Sequence, residues 1–200
     1  MPRKNMIFFV SIACLFLFSC ESKRDSDYQV PAEITEAEIS EESITKIEQS
    51  SPIADPADVS SIDAIIQALY DSISFSEGEE PDLDRFQSLF MLKAPFICLT
   101  QDGVDTMDLE SFVSSFRERI KSGAIKSFYE AEIARTSNAF GSIAQVFSTY
   151  NKGINTEDPE LFTRGINSIQ LYYDGRQWWV SSILWEDERS DSPIPKEYLR

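Results

Sequence analysis

Beyond residue 60, apolar residues recur every three or four positions up to residue 123 and every second position after it. Ile62, Ile65, Ile66, Leu69, Tyr70 and Ile73 make one helical stripe, and Ser60 or Ser61 can cap it. The stretch from Ser76 to Pro81 breaks that helix with Gly and Pro. Asp82 then starts a short second helix with Leu83, Phe86, Leu89 and Phe90 on one side. Met91 to Thr100 reads as an apolar strand with Pro95 near an edge or bulge. Thr106 or Asp108 caps a third helix bearing Leu109, Phe112, Val113, Phe116 and Ile120, which Gly123 stops.

After Gly123 the period predicts four strands: Ser127 to Ser137, Gly141 to Asn151, Arg164 to Asp174 and Arg176 to Glu186. Asp174-Gly175 joins the last two with the turn chemistry of a tight antiparallel hairpin. Helices first and a meander of long strands afterwards predict an α+β fold, with the helices covering one face of a curved antiparallel sheet. The sequence shows no internal repeat and no Gly-rich phosphate loop.

The N-terminus follows a different pattern. Arg3 and Lys4 precede an apolar run from Ile7 to Phe18, the charged and apolar regions of a secretory signal. As a helix that run spans roughly 18 Å against a hydrocarbon core of ~30 Å, so a permanent transmembrane helix is the weaker reading. Leu17-Phe18-Ser19-Cys20 closes the run and resembles the lipobox of bacterial lipoproteins, in which the signal is removed and the cysteine becomes the lipidated, palmitate-bearing N-terminus. An ordinary secretory signal with a chance cysteine is the alternative. The resemblance implies residues 1–19 as signal peptide, Cys20 as the lipidation site, and a place on the bacterial cell envelope, at the periplasmic side of a membrane or the cell surface.

Residues 20–60 read as a tether. From Glu21 to Ser60 there are eleven acidic residues against Lys23, Arg24 and Lys46, and no aromatic except Tyr28. Such a stretch buries too little apolar surface to offset its ordering entropy, although Ile34, Ile39, Ile44 and Ile47 allow a short helix within 32–49. It reads as a self-repelling spacer in front of one domain at 61–200.

Charge and residue inventory exclude several functions. The net formal charge is −16 and every acidic residue lies beyond Cys20, so phosphate backbones are repelled and no nucleic-acid partner is expected. Membrane attachment must then come from the lipid and not from a basic patch. There is no histidine, which rules out His-based general-base and nucleophile arrangements and a His-rich zinc site. Cys14 leaves with the signal and Cys20 is the lipid site, which leaves Cys98 as the one other cysteine, so neither an intramolecular disulfide nor a cysteine metal cluster can form. Within Phe96-Ile97-Cys98-Leu99 it reads as a small buried hydrophobe. No metal or cofactor is expected.

Several segments resemble the bacterial branch of the NTF2-like (SnoaL-like) superfamily. They are Ile65-Ile66-Gln67-Ala68-Leu69-Tyr70-Asp71-Ser72-Ile73-Ser74, Asp84-Arg85-Phe86-Gln87-Ser88-Leu89-Phe90, Arg164-Gly165-Ile166-Asn167-Ser168-Ile169-Gln170-Leu171, and Asp174-Gly175-Arg176-Gln177-Trp178-Trp179-Val180-Ser181-Ser182-Ile183-Leu184-Trp185-Glu186 followed by Pro193-Ile194-Pro195. The resemblance runs from about Ser61 to Leu199 and implies a cystatin-type cone with a pocket between helices and a strongly bent sheet. Members include isomerases, dehydratases, cyclases and non-catalytic binding or dimerising domains, so the pocket must decide between them.

Alternation along the first predicted strand puts Glu130 and Glu132 opposite the more core-like Tyr129, Ala131, Ile133 and Arg135, so both glutamates are expected in solvent. Asp71 reads as a surface helix carboxylate. No acid–base pair emerges, and no catalytic residue is assigned. The pocket candidates are polar groups interrupting apolar segments: Asn167 and Gln170, Ser182 and Trp185 on the next strand, with Tyr70 and Arg85 able to close the mouth. Asn167 and Gln170 can equally serve backbone groups of a bent sheet, and the tryptophans can be core or dimer-interface aromatics. Three readings stand: a lipid-anchored binding or accessory module for a small apolar-polar ligand, a domain dimerising through its sheet face, and an isomerase- or dehydratase-like enzyme using a carboxylate and a tyrosine.

Overall fold

A computed structural model describes residues 52–200. The signal peptide, Cys20, the possible helix within 32–49 and most of the tether lie outside the described residues. Among those described, no helix is long and apolar enough to cross a membrane.

Two helices come first, and a third follows a pair of strands. Helix α1, Ile62–Ile73, starts where the Ser61 hydroxyl accepts from the Ala64 amide at 3.1 Å. Helix α2, Leu83–Ser88, is capped by Asp82, which accepts from Arg85 N at 2.9 Å. Helix α3, Leu109–Lys121, is capped by Asp108 on Ser111 N at 2.8 Å. All three starts use residues that the sequence marks as caps.

Six strands make one sheet in the order β2-β1-β6-β5-β4-β3. They are β1 (Pro95–Thr100), β2 (Gly103–Asp108), β3 (Phe128–Phe140), β4 (Ile143–Ile154), β5 (Thr163–Tyr173) and β6 (Trp178–Asp187). Neighbours are antiparallel except β1 and β6, which run parallel with Phe96 beside Ile183. The expected strand from Met91 is shorter than its apolar run: Met91 to Ala94 close a turn through Ala94 N to Met91 O, with Lys93 at positive φ. Pro95 opens β1, a position where its missing N–H breaks no ladder. Edge strand β2 is not anticipated by the pattern, because Gly103, Asp105 and Asp108 leave it little apolar content.

The core lies between the helices and the inner sheet face. Phe86, Phe90, Phe96, Phe112 and Phe116 stack through it, with Phe96 and Phe112 centroids 4.6 Å apart and Phe86 and Phe90 4.9 Å apart. Burying each such side chain contributes roughly 1.5–3 kcal/mol relative to exposure. Cys98 is buried on β1 beside Trp185. Ala54 and Val59, ahead of the boundary expected at Ser61, are also buried, and Val59 O accepts from Trp178 N at 3.0 Å.

Two bulges bend the sheet. One leaves Ile133 unpaired between Glu132 and Ala134 on β3, and the other leaves Ser181 extra on β6 opposite Gln170 and Leu171. The segment after β6 returns across the outer face, where Thr149 Oγ1 donates to Tyr198 O at 2.6 Å and the Tyr198 ring sits 4.9 Å from Phe147.

Candidate functional site

Tyr70 lies on the buried stripe of α1 and sends its phenol onto the inner sheet face. There it meets Ser148 of β4 at 2.7 Å and Asn167 of β5 at 3.1 Å, two residues that face each other in register. Asn167 Nδ2 also donates to Glu130 Oε1 at 3.0 Å, and Ser148 Oγ donates to Glu132 Oε2. Glu132 pairs with Arg135 at 2.8 Å, and Arg135 reaches Asp63 of α1 at 2.7 Å.

The carboxylate at the end of this chain fixes its proton order. Ser148 must give its proton to Glu132, so it accepts from Tyr70, and Tyr70 in turn accepts from Asn167. Every donor proton thus runs one way, from amide to carboxylate.

This placement corrects the expectation that Glu130 and Glu132 are solvated. Phe128, Glu130 and Glu132 face inward, while Tyr129 and Ile133 are exposed. The bulge at Ile133 then puts Arg135 back on the inner face beside Glu132. Glu130 protonates more readily than an ordinary carboxyl because burial disfavours its charge, a shift opposed by Lys152 and by the Asn167 bond.

A second cluster stands next to the first. Tyr150 is fully buried on β4 and donates to Asp187 Oδ1 at 2.6 Å, which Lys152 Nζ also reaches at 2.6 Å. Tyr150 faces Gly165 in register, and Gly165 faces Asp187, so the phenol crosses over the glycine to reach the carboxylate. A Cβ on Gly165 would stand 2.2 Å from the Tyr150 hydroxyl and 2.6 Å from Glu186 O. Burial comes first in raising the pKa of both Tyr70 and Tyr150, and neighbouring carboxylates add to it, so both phenols stay neutral.

Of the six pocket candidates, Tyr70 and Asn167 come together here. Trp185 adjoins them, in register with Asn167, its ring edge-on to Phe96 and Phe112 at 6.5 and 6.3 Å. Gln170 and Ser182 also meet, but in register on the outer face, in a row with Asn138 and Gln145. Arg85 lies apart, in a two-point pair with Asp58 at 2.7 and 2.8 Å that lowers the Asp58 pKa. Asp71 is exposed as expected and accepts from Gln67 at 2.7 Å.

The returning C-terminal segment leaves a cleft of about 240 Å³ against the sheet. Phe147, Ile166, Leu184, Pro193 and Pro195 supply apolar walls, and Ser168, Trp185, Glu186, Asp187 and Glu188 also line it. The Asp187 carboxylate itself turns to the inner face, toward Tyr150 and Lys152, so the acidic side chains on the cleft side are Glu186 and Glu188.

No protein-family model matches this chain, and no curated protein matches it in sequence. Solved structures are similar in fold. An NTF2-like protein of unknown function from Pseudomonas putida KT2440 shares 12% identity with a TM-score of 0.51, over 70% of this chain and 95% of that one. A protein with a cystatin-like fold from Caulobacter vibrioides shares 14% identity with a TM-score of 0.50, over 66% of this chain and 90% of that one. The domain has the α+β fold of NTF2-like and cystatin-like proteins.

Proposed function

We propose that this chain is a binding or accessory module of the bacterial envelope, anchored through lipidated Cys20, whose ligand seat is the cleft between the outer sheet face and the C-terminal segment. One observation carries the reading: a largely apolar cleft on the outer sheet face closes on Glu186 and Glu188, carboxylates already held by Arg189 and Arg164. Apolar walls with a few convergent polar groups suit a small ligand that is mostly apolar and has a polar end. The volume fits a small molecule and not an extended polymer.

An enzyme of the carboxylate-and-tyrosine kind needs a phenolic proton offered to substrate. Here the Tyr150 proton is committed to Asp187, and the Tyr70 proton to Ser148. That favours binding over catalysis. A homodimer through the outer face would compete with the C-terminal segment for that surface.

Native mass spectrometry of the full-length acylated chain in mild detergent tests the seat. The wild type should carry a small molecule that is absent from Ser168→Trp, a change that fills the cleft, with circular dichroism confirming an intact fold. A wild type without bound ligand, or a ligand retained in Ser168→Trp, counts against the reading. Incorporation of labelled palmitate, lost in Cys20→Ala, tests the anchor separately.

A further inference from the structure

One end of the domain carries a row of exposed apolar side chains, while others such as Val104 and Leu161 are exposed singly elsewhere. Phe140, Ile143, Tyr172 and Trp179 form a transverse row on the outer face, each the register partner of the next across β3, β4, β5 and β6. Phe140 is 84% exposed and Ile143 61%. The Trp179 indole N–H donates to Asp174 Oδ2 at 2.9 Å, which pins the ring at this end. Met91 and Leu92 add to the same end, because Met91 N donates to Val180 O at the start of β6, and they are 36% and 41% exposed.

Charge sets the β3–β4 hairpin apart from the rest. The stretch 136–151, which forms that hairpin and its tip, contains no charged residue, in a chain whose net charge is −16, and the adjoining β5–β6 turn carries Asp174 and Arg176, which offset one another. An acidic protein is repelled from anionic surfaces, and an aromatic end with no net charge is the part that can approach a bilayer. Trp, Tyr and Phe favour the membrane–water interface, where apolar ring and polar edge are both accommodated. Chain direction agrees, since Val59 O bonds Trp178 N at this same end, so the N-terminal segment enters the packed body here.

We propose that this end, with Phe140, Ile143, Tyr172 and Trp179 as its contact row, rests on the surface of a lipid bilayer. The inference builds on the anchor at Cys20. Lipidation at Cys20 would keep the aromatic end near the bilayer at high effective concentration. Weak interfacial contact then suffices to orient the domain, with β3–β4 toward the lipid and the first turn of α1 fixed relative to it.

Tryptophan quenching by brominated lipid tests the contact on the full-length acylated chain. Trp179 lies on the contact row, whereas Trp178 beside it and Trp185 pack against the core. On phosphatidylcholine vesicles with brominated acyl chains, wild-type fluorescence should be quenched. The double variant Phe140→Asp/Ile143→Asp should lose that quenching while still floating with the vesicles and keeping its circular dichroism. Flotation without quenching in the wild type overturns the docking and leaves the anchor standing. If the wild type does not float, the anchor fails, and quenching of the unbound chain at high vesicle concentration then decides the docking by itself. Equal quenching of wild type and double variant overturns it, as does a wild-type dimer that the double substitution converts to monomer without changing quenching.

Discussion

Gly165 has the least freedom to change of any residue near the inner cluster. The Tyr150 phenol and the Glu186 carbonyl occupy the space a side chain would need, and neither is a flexible tip. Gly165→Ala should therefore cost about 2 kcal/mol in urea unfolding, the scale of overpacking in a closed core. Glu130 makes a pH-dependent contribution of known sign. Its folded-state pKa is raised above the ordinary 4.5, so the folded state binds its proton more tightly than the unfolded chain. The ionised form consequently costs stability, increasingly as pH climbs through the window above 4.5. Glu130→Gln keeps an acceptor for Asn167 and removes the ionisation. The variant should be more stable than wild type at neutral pH and indistinguishable from it well below 4.5, as read from denaturation midpoints across pH. Asn167 and Trp185 were legible as interruptions of apolar strands, whereas Tyr70, read as able to close a pocket mouth, is buried on the inner sheet face. Glu130 and Glu132 were not, because simple alternation assigns faces by average hydrophobicity. On β3 the inner face is the more polar one, and a bulge that no residue type announces then returns Arg135 to it.

The elements themselves were largely readable, because each begins with local chemistry. Ser61, Asp82 and Asp108 cap their helices through side-chain bonds available within three residues. The β5–β6 turn is equally local. Gly175 adopts φ +95, and Asp174 accepts from Arg176 N at 2.7 Å, Gln177 N at 2.8 Å and the Trp179 indole. Those donors also hold the Asp174 carboxyl below its usual range, the indole bond most of all. Asp174→Ala should destabilise the domain by about 1 kcal/mol. It should also shift tryptophan emission, because Trp179 loses its partner. Strand β2 escaped the pattern for the opposite reason: its pairing with β1 is backbone bonding at an edge, with little apolar face to betray it.

Across the whole molecule, the acidic surface and the apolar core oppose one another. Like charges distributed over a chain of net −16 repel, whereas exposed ion pairs such as Arg117–Asp84 contribute only about 0–1 kcal/mol. Added salt screens both, and the repulsion is the larger loss. The melting temperature should therefore rise as sodium chloride goes from about 10 mM to about 200 mM, over which the screening length shortens severalfold. A fall would mean that the ion pairs dominate. The parallel pairing of β1 with β6 governs how the body comes into being. Phe96 has one sheet neighbour close by at Met107 but its other only at Ile183, so the sheet against which the phenylalanines pack cannot be completed until nearly all of the chain is present. Closure of so long a loop, and not helix formation, sets the folding rate. During synthesis the three helices emerge with their aromatic sides open, a state for chaperones to guard and proteases to judge.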